Sequence, residues 1–189
     1  MGNHILTHQT IRMVSGTLLN ELSLELSCGA CLVTEQNNYC FYLDLIDSPL
    51  RLNDTLLRIG KKTPLHCTGS GKLFLSSFSE ERFQRYINEV GLAAFTPNTI
   101  TSEKDLLSEL ENVRLNQYAF DREECENNLF CVSRPVFDYS EHIAAAVSAF
   151  GPTTLFTDER IHTTILPKLT NVANEISFRL GCGKEQCCT

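Results

Sequence analysis

Leu129-Phe130-Cys131-Val132-Ser133-Arg134-Pro135-Val136-Phe137 is followed, after Asp138-Tyr139-Ser140-Glu141, by His142-Ile143-Ala144-Ala145-Ala146-Val147-Ser148-Ala149. Two β-type runs joined by a short polar turn predict an antiparallel strand pair. In the second run, Ile143 to Val147 is apolar and small on both faces. A central strand, covered on both sides and closely approached by another element, is expected there. Gly151-Pro152 ends it.

Working back from this pair, Thr101 or Ser102 caps a helix whose Leu106, Leu107, Leu110 and Val113 recur at helical spacing to about Asn116. Ser79 caps another, with Glu80 and Glu81 in its first turn, Phe83, Tyr86, Ile87 and Val90 as its stripe and Gly91 as its stop. Farther back, Ala30–Thr34 and Tyr39–Ile46 flank Glu35-Gln36-Asn37-Asn38 and read as a hairpin. Tyr39, Phe41, Leu43 and Leu45 are expected on one of its faces, with Cys40, Tyr42 and Asp44 on the other. Leu50 to Ile59 reads either as a further strand interrupted at Asn53-Asp54 or as a loop. From His8 to Leu26, apolar residues at 11, 14, 18, 22 and 26 predict an amphipathic helix. At the other end Thr157 caps a long helix striped by Ile161, Ile165, Leu169, Val172, Ile176 and Leu180 and stopped by Gly181. Pro167 is expected to kink it around Thr163. The fold class is α/β (α+β): one domain over residues 8–181, a largely antiparallel sheet flanked by helices, with 1–7 and 182–189 as tails.

At 189 residues, 42% apolar and 21% charged, the chain has the size and composition of one globular domain that needs no staples. The net charge of −7 argues against this chain gripping a phosphate backbone by general electrostatics. Met1 to Leu6 lacks a basic n-region and a long apolar core, and Leu6 stands where a myristoylation signal wants Ser or Thr. The longest strongly apolar run, Ile143 to Val147, is too short to span a bilayer. A cytoplasmic protein with no membrane partner is expected. Nine scattered cysteines read as reduced thiols. Cys28-x-x-Cys31 is half a zinc motif without its completing pair, and no H-E-x-x-H occurs, so neither metal nor cofactor is expected.

Candidate chemistry centres on Leu65-His66-Cys67-Thr68-Gly69-Ser70-Gly71-Lys72, which runs into the apolar Leu73-Phe74-Leu75. A Gly-rich turn at a helix start presents unpaired N–H groups to which a small anion can bind, though such a turn is often plain loop chemistry. It is no nucleotide P-loop: His66 stands where that motif needs Gly, and Leu73 where it needs Ser or Thr. Asp121, at the head of Asp121-Arg122-Glu123-Glu124, together with Cys131 and Ser148 adds an acid, a thiol and a hydroxyl. If the two strands pair around residues 138–141, Cys131 and Ser148 approach one another across the ladder and can face one cavity. Each also has a plain explanation. Cys131 can be a small buried hydrophobe, Ser148 can satisfy a carbonyl, and Asp121 can be a turn residue. No histidine lies beside Cys131 in sequence to activate its thiol, so that catalysis is less expected than binding, and approach of His66 in space stays open.

Pro64 to Lys72, Thr99-Ile100-Thr101, Asp121 to Glu124, Cys131 to Asp138, Gly151-Pro152 and Ile176 to Gly181 together resemble the effector-binding domain of the IclR family of transcriptional regulators. The resemblance runs from about His8 to Gly181 and rests on the order of several blocks rather than on any one. It implies a GAF- or profilin-like fold, dimers or tetramers, no enzymatic activity and so no catalytic residue, and a small carboxylate effector such as a keto acid or sugar acid. By the same resemblance, the backbone at Gly69 and Ser70 would hold the carboxylate, and Asp121, Cys131 and Ser148 its hydroxyl or carbonyl oxygens. Phe150 stands where relatives that bind the smallest keto acids commonly carry a second Ser, which adds bulk to the site. Arg58 to Lys62 resembles the sugar-acid-responsive members. The family's N-terminal winged helix-turn-helix is expected to lie outside this chain, so DNA would be read only through that domain. The competing readings are a small hydrolase or isomerase with Cys131 as nucleophile, and a dimerisation module with a collapsed pocket.

Overall fold

The structure, a computed structural model, describes residues 2–48 and 62–183. The chain opens with α1 (Gly2–Leu26), which takes residues 2–7 into the helix instead of leaving them as a tail. Ile11, Leu19, Leu22 and Leu26 are buried on its inner face, with Val14 and Leu18 packed beside them. β1 (Gly29–Gln36) and β2 (Tyr39–Ile46) form the predicted hairpin. Its loop is two residues rather than four. Asn37 and Asn38 sit at φ 52° and 68°, the left-handed pair that a tight hairpin turn requires and Asn tolerates. The predicted alternation along β2 holds only to Leu43. Leu32 pairs with Asp44 and Val33 with Tyr42, leaving Leu43 unopposed in a bulge. Beyond it the phase flips, and Leu45 joins Cys40 and Tyr42 rather than Phe41 and Leu43.

β3 (Lys62–Pro64) pairs with β2 and leads into α2 (Gly69–Ser76), then α3 (Glu80–Glu89) and α4 (Glu103–Asn116). Ser79 and Ser102 cap the last two as expected, each accepting from the N–H three residues on. α4 gives way to β4 (Ala119–Arg122), which the sequence did not suggest: Asp121 lies in a strand, not in a turn. β5 (Leu129–Phe137) and β6 (Ile143–Pro152) follow. After a single 3-10 turn at Thr153–Leu155, α5 (Asp158–Arg160) runs through a π-helical stretch, Ile161–Ile165, into α6 (Leu166–Arg179). The residues just ahead of Pro167, around Thr163 where a kink was expected, are π-helical, and such a stretch accommodates a backbone bond that proline cannot donate. The sequence stretches Leu50–Ile59, Arg58 to Lys61 and Cys187-Cys188 lie outside the described residues.

Among the described residues the sheet has six strands in the order β3-β2-β1-β6-β5-β4, every pair antiparallel. β6 is interior, as its small apolar residues required. Ala145, Val147 and Ala149 face a core shared with α1 and α6, while Ala146 and Phe150 face a second core under α2, α3 and α4. An α+β sheet covered on both faces is the result, the architecture of GAF- and profilin-like domains. Among the described residues no helix is long and apolar enough to cross a membrane.

Two glycines test how tightly this architecture is closed. A Cβ on Gly71 would lie 2.1 Å from the backbone oxygen of Leu65, whereas one on Gly16, inside α1, would meet nothing within 4 Å. Gly71→Ala should therefore destabilise the fold by about 2 kcal/mol or more, because the obstacle is main chain and cannot swing away. Gly16→Ala should stabilise it by about 0.5–1 kcal/mol, through helix propensity alone. Urea midpoints moving in opposite directions for the two variants would verify the pair.

Candidate functional site

Thr68 has extended backbone, φ −129° and ψ 146°, and its hydroxyl accepts from Gly71 N, so α2 starts at Gly69 as the Gly-rich turn suggested. The helix lies directly on the sheet. A Cβ on Gly69 would be 2.7 Å from Ser133 Oγ and 3.1 Å from the carbonyl of Ala119. The glycines are thus required first by close approach of helix to strand, and the same approach brings the first-turn N–H groups down to the sheet face.

Beneath that turn the ladders set two neighbouring rows of side chains. One runs Cys31, Ser148, Ser133 and Ala119 across β1, β6, β5 and β4; the next runs Gly29, Phe150, Cys131 and Asp121. Cys131 is therefore opposite Phe150, not opposite Ser148 as the turn at 138–141 suggested. Phe137 pairs with Ile143 rather than His142, and a register shift between Val136 and Phe137 adds one more place, so the pairing moves by two residues and Ser148 faces Ser133 instead. Cys131 and Ser148 still share a face, as diagonal neighbours. Ser133, Ser148 and Ser70 form a buried triangle of hydroxyls, with Oγ–Oγ distances of 2.7 Å between Ser133 and Ser148, 2.9 Å between Ser70 and Ser148, and 3.4 Å between Ser70 and Ser133. Phe150 lies over Gly29, whose missing Cβ would fall 2.3 Å from the ring. The fold thus places Gly69, Ser70, Asp121, Cys131, Ser148 and Phe150 around the first turn of α2 and the two sheet rows beneath it. Sequence reasoning missed Ser133; its signal was its place two residues after Cys131, on the same strand face.

Asp121 is 1% exposed. Its Oδ1 accepts from the N–H groups of Glu124 at 2.7 Å and Cys125 at 3.3 Å. Burial is the largest influence on its acidity, and with the nearby Glu124 charge it outweighs these bonds and Lys72, pushing the carboxyl up to about 7. The Lys72 side chain, fully buried, explains why no phosphate reading is needed. Its Nζ reaches Glu124 at 2.7 Å and Glu109 at 3.2 Å, joining α2, the β4–β5 loop and α4. Thr99 and Thr96 hold the same loop, donating to the carbonyls of Glu124 and Glu123 at 2.6 Å each.

The nucleophile reading of Cys131 has no support in this geometry. Burial, followed by the Asp121 charge, holds its thiol well above the ordinary range. His66 is engaged elsewhere, with Nδ1 at 2.9 Å from the Tyr86 hydroxyl and Nε2 at 3.0 Å from the Ala93 carbonyl. Cys28 and Cys31 belong to opposite cores of the sheet, and burial pushes each thiol up to about 12. Among the described residues no group of three or more His, Cys, Asp or Glu side chains could hold a metal ion. An open cleft of about 580 Å³, bounded among others by Glu109, Arg122, Glu124 and Phe130, adjoins the Lys72 ion pair and contains none of the six residues singled out from the sequence.

A six-stranded antiparallel sheet, covered on both faces by helices, with a Gly-started helix lying on a buried polar cluster, defines a two-faced α+β domain. The family model described as "Bacterial transcriptional regulator IclR C-terminal" matches residues 3–178, and the chain belongs to that family. The transcriptional repressor IclR of Escherichia coli K12 is 31% identical over 167 residues, 88% of this chain and 57% of that protein. The crystal structure of Thermotoga maritima IclR superposes with a TM-score of 0.85 at 33% identity, over 90% of this chain and 68% of that one. The inducer-binding domain of the Acinetobacter transcription factor PobR, crystallised as a double mutant with 3-hydroxybenzoic acid, does so with 0.80 at 27%, over 87% of this chain and 96% of that one. The chain spans about half the length of the curated relatives it matches, 44% to 57% of the first two.

Two outcomes follow from the electrostatics. In the unfolded chain Asp121 loses its proton near the ordinary carboxylate value, and in the folded chain near 7. Between those values the folded state holds the extra proton, so the contribution of Asp121 to stability is complete below about pH 4 and falls as pH rises to about 7. Asp121→Asn should remove that fall, and the difference in unfolding free energy between variant and parent should change by up to about 1.4 kcal/mol per pH unit inside the window. Denaturant titrations at several pH values measure it. Lys72→Met should cost about 3–5 kcal/mol by leaving Glu124 charged and buried without its cation, and adding Glu124→Gln should recover part of the loss.

Proposed function

We propose that this chain is the effector-sensing part of a DNA-binding transcriptional regulator, and that it binds a small carboxylate, a sugar acid or 2-keto acid, at the start of α2. The observation that carries the reading is the meeting of that helix start with the Ser70–Ser133–Ser148 hydroxyls and Asp121 on one sheet face. The N–H groups of Gly69 and Ser70 suit a carboxylate, since the first turn of a helix has donors with no partner in the helix and a favourable dipole. Asp121, titrating near neutral pH, has a protonated form that donates to a carbonyl or hydroxyl oxygen and an ionised form that accepts from one. Ser148 supplies a second oxygen partner and Cys131 a soft, weakly donating wall. Phe150, in the row beside them, sets the length of ligand that fits. The carboxylate bound to PobR's inducer-binding domain supports the ligand class.

In this reading the winged helix-turn-helix lies outside the chain, the domain assembles as a dimer or tetramer, and the effector acts by preferring one arrangement of the assembly over another. Repression is the favoured output, in keeping with the E. coli relative. A carboxylate that binds the folded state raises its melting temperature with the logarithm of its concentration over its Kd. A panel of keto acids, sugar acids and hydroxybenzoates, followed by thermal shift and calorimetry, tests the proposal. At least one should raise the Tm, and Ser148→Ala should then weaken its binding about tenfold through the loss of one buried hydrogen bond. A well-folded protein that responds to none of them would refute the ligand class.

A further inference from the structure

The cleft of about 580 Å³ beside the Lys72 ion pair lies at one end of the sheet, where β4 ends, β5 begins and β6 runs out. Its apolar lining comes from both cores. Phe130 and Phe156, on the α1–α6 side, are stacked with ring centroids 5.1 Å apart, and Ile100 belongs to the other side. Glu109, Glu123 and Glu124 bring three carboxylates to the same cleft. Arg122 is its basic residue, but the guanidinium lies over the Phe120 ring, 4.2 Å from the centroid. It pairs with no carboxylate among the described residues.

Glu124 is the polar group that this arrangement leaves unfinished. Its side chain is 5% exposed. Oε1 accepts from Lys72 Nζ at 2.7 Å and from the Arg122 N–H at 3.3 Å. Oε2 is buried and has no hydrogen-bond partner. Lys72 is already shared, since Nζ also donates to Glu109 at 3.2 Å. A buried carboxylate oxygen without a donor keeps its desolvation cost uncompensated, and this one belongs to a residue of the cleft wall.

We propose that this cleft is a second ligand site, separate from the start of α2, and that it takes a primary ammonium on a short aromatic or branched apolar body. The ammonium offers three N–H donors on a compact head, so one can reach Glu124 Oε2 below the surface while the others turn to Glu109, Glu123 or water. The apolar body then lies along Phe130, Phe156 and Ile100, where ring faces also attract the charge. A bare metal ion suits the cleft poorly: among the described residues no three acidic, His or Cys side chains are grouped to hold one. A quaternary ammonium has the charge but no N–H, and leaves Oε2 as it was. An anion would meet three carboxylates, with the one guanidinium of the lining already engaged on Phe120. The cleft volume lies within the range of small-molecule sites. The site depends on no part of the carboxylate function proposed above.

The test uses the full chain and three probes of one shape at fixed ionic strength: phenethylammonium, its N-trimethylated analogue, and phenylacetate. Calorimetry should show phenethylammonium binding with a Kd of about 1 mM or tighter, and the Tm should rise with the logarithm of its concentration. The trimethylated analogue and phenylacetate should bind at least tenfold more weakly. Glu124→Gln should weaken phenethylammonium at least tenfold. Since that substitution also disturbs the Lys72 pair, Thr153→Lys provides the second arm. Thr153 lies at the cleft in a 3-10 turn, and its hydroxyl makes only an exposed bond to Asn128. A lysine there places a tethered ammonium in the cleft, and should abolish phenethylammonium binding with the circular dichroism spectrum unchanged. No response to phenethylammonium would mean that solvent satisfies Oε2, and would overturn the site. Equal binding of the trimethylated analogue, or a folded Thr153→Lys protein that binds as the parent does, would overturn it as well.

Discussion

The first turn of α2 rests on the sheet with no side chain of its own at Gly69 to hold it off. Gly69 meets the Ser133 hydroxyl and the Ala119 carbonyl at distances a Cβ would violate, and Gly71 meets the backbone of Leu65. Interiors are packed densely enough that an extra methyl against main chain has nowhere to go. The rest of the site depends on that contact. It lowers Ser70 onto Ser133 and Ser148, it seats the helix start on their row, next to the row of Cys131 and Asp121, and it drives Lys72 fully into the interior.

A buried ammonium demands carboxylates, and Lys72 draws them from two distant segments, Glu109 of α4 and Glu124 of the β4–β5 loop. Ion pairs of this kind are weak sources of net stability, because both charges give up their hydration, but they are intolerant of wrong partners. Here the pair fixes the loop whose N–H groups bind Asp121. The acidity of Asp121 is in turn a product of depth: its burial and the neighbouring Glu124 charge outweigh the two bonds that would keep it ionised. Packing, charge pairing and a carboxyl that titrates near neutrality are successive consequences of one close helix–sheet contact.

Much of the architecture was legible along the chain. The caps Ser79, Ser102 and Thr157 stand where helices begin, because a side-chain oxygen must satisfy the first free N–H groups wherever the helix packs. The small apolar run Ile143 to Val147 declared an interior strand, since only such residues fit between two covered faces. β4 was not legible: four residues, two of them charged, give too short a pattern for periodicity to register. Nor was the bulge at Leu43, which depends on how β2 is paired and not on what it contains.

Sequence by itself determined the sheet-and-helix class, the placement of nearly every helix start, and the set of chemically able residues, because each follows from local rules of capping, periodicity and residue type. The tertiary structure alone decided which of those residues meet. A turn one residue longer than expected and a one-residue shift near Val136 together set Ser133, rather than Cys131, against Ser148, and put Cys131 between Phe150 and Asp121. Strand register is a long-range property, chosen by the burial of whole faces at once, and no single stretch of the chain encodes it. Likewise, nothing adjacent to Asp121 in sequence announces an acid titrating near 7, or a lysine buried behind it, since both states exist only where distant segments exclude water together.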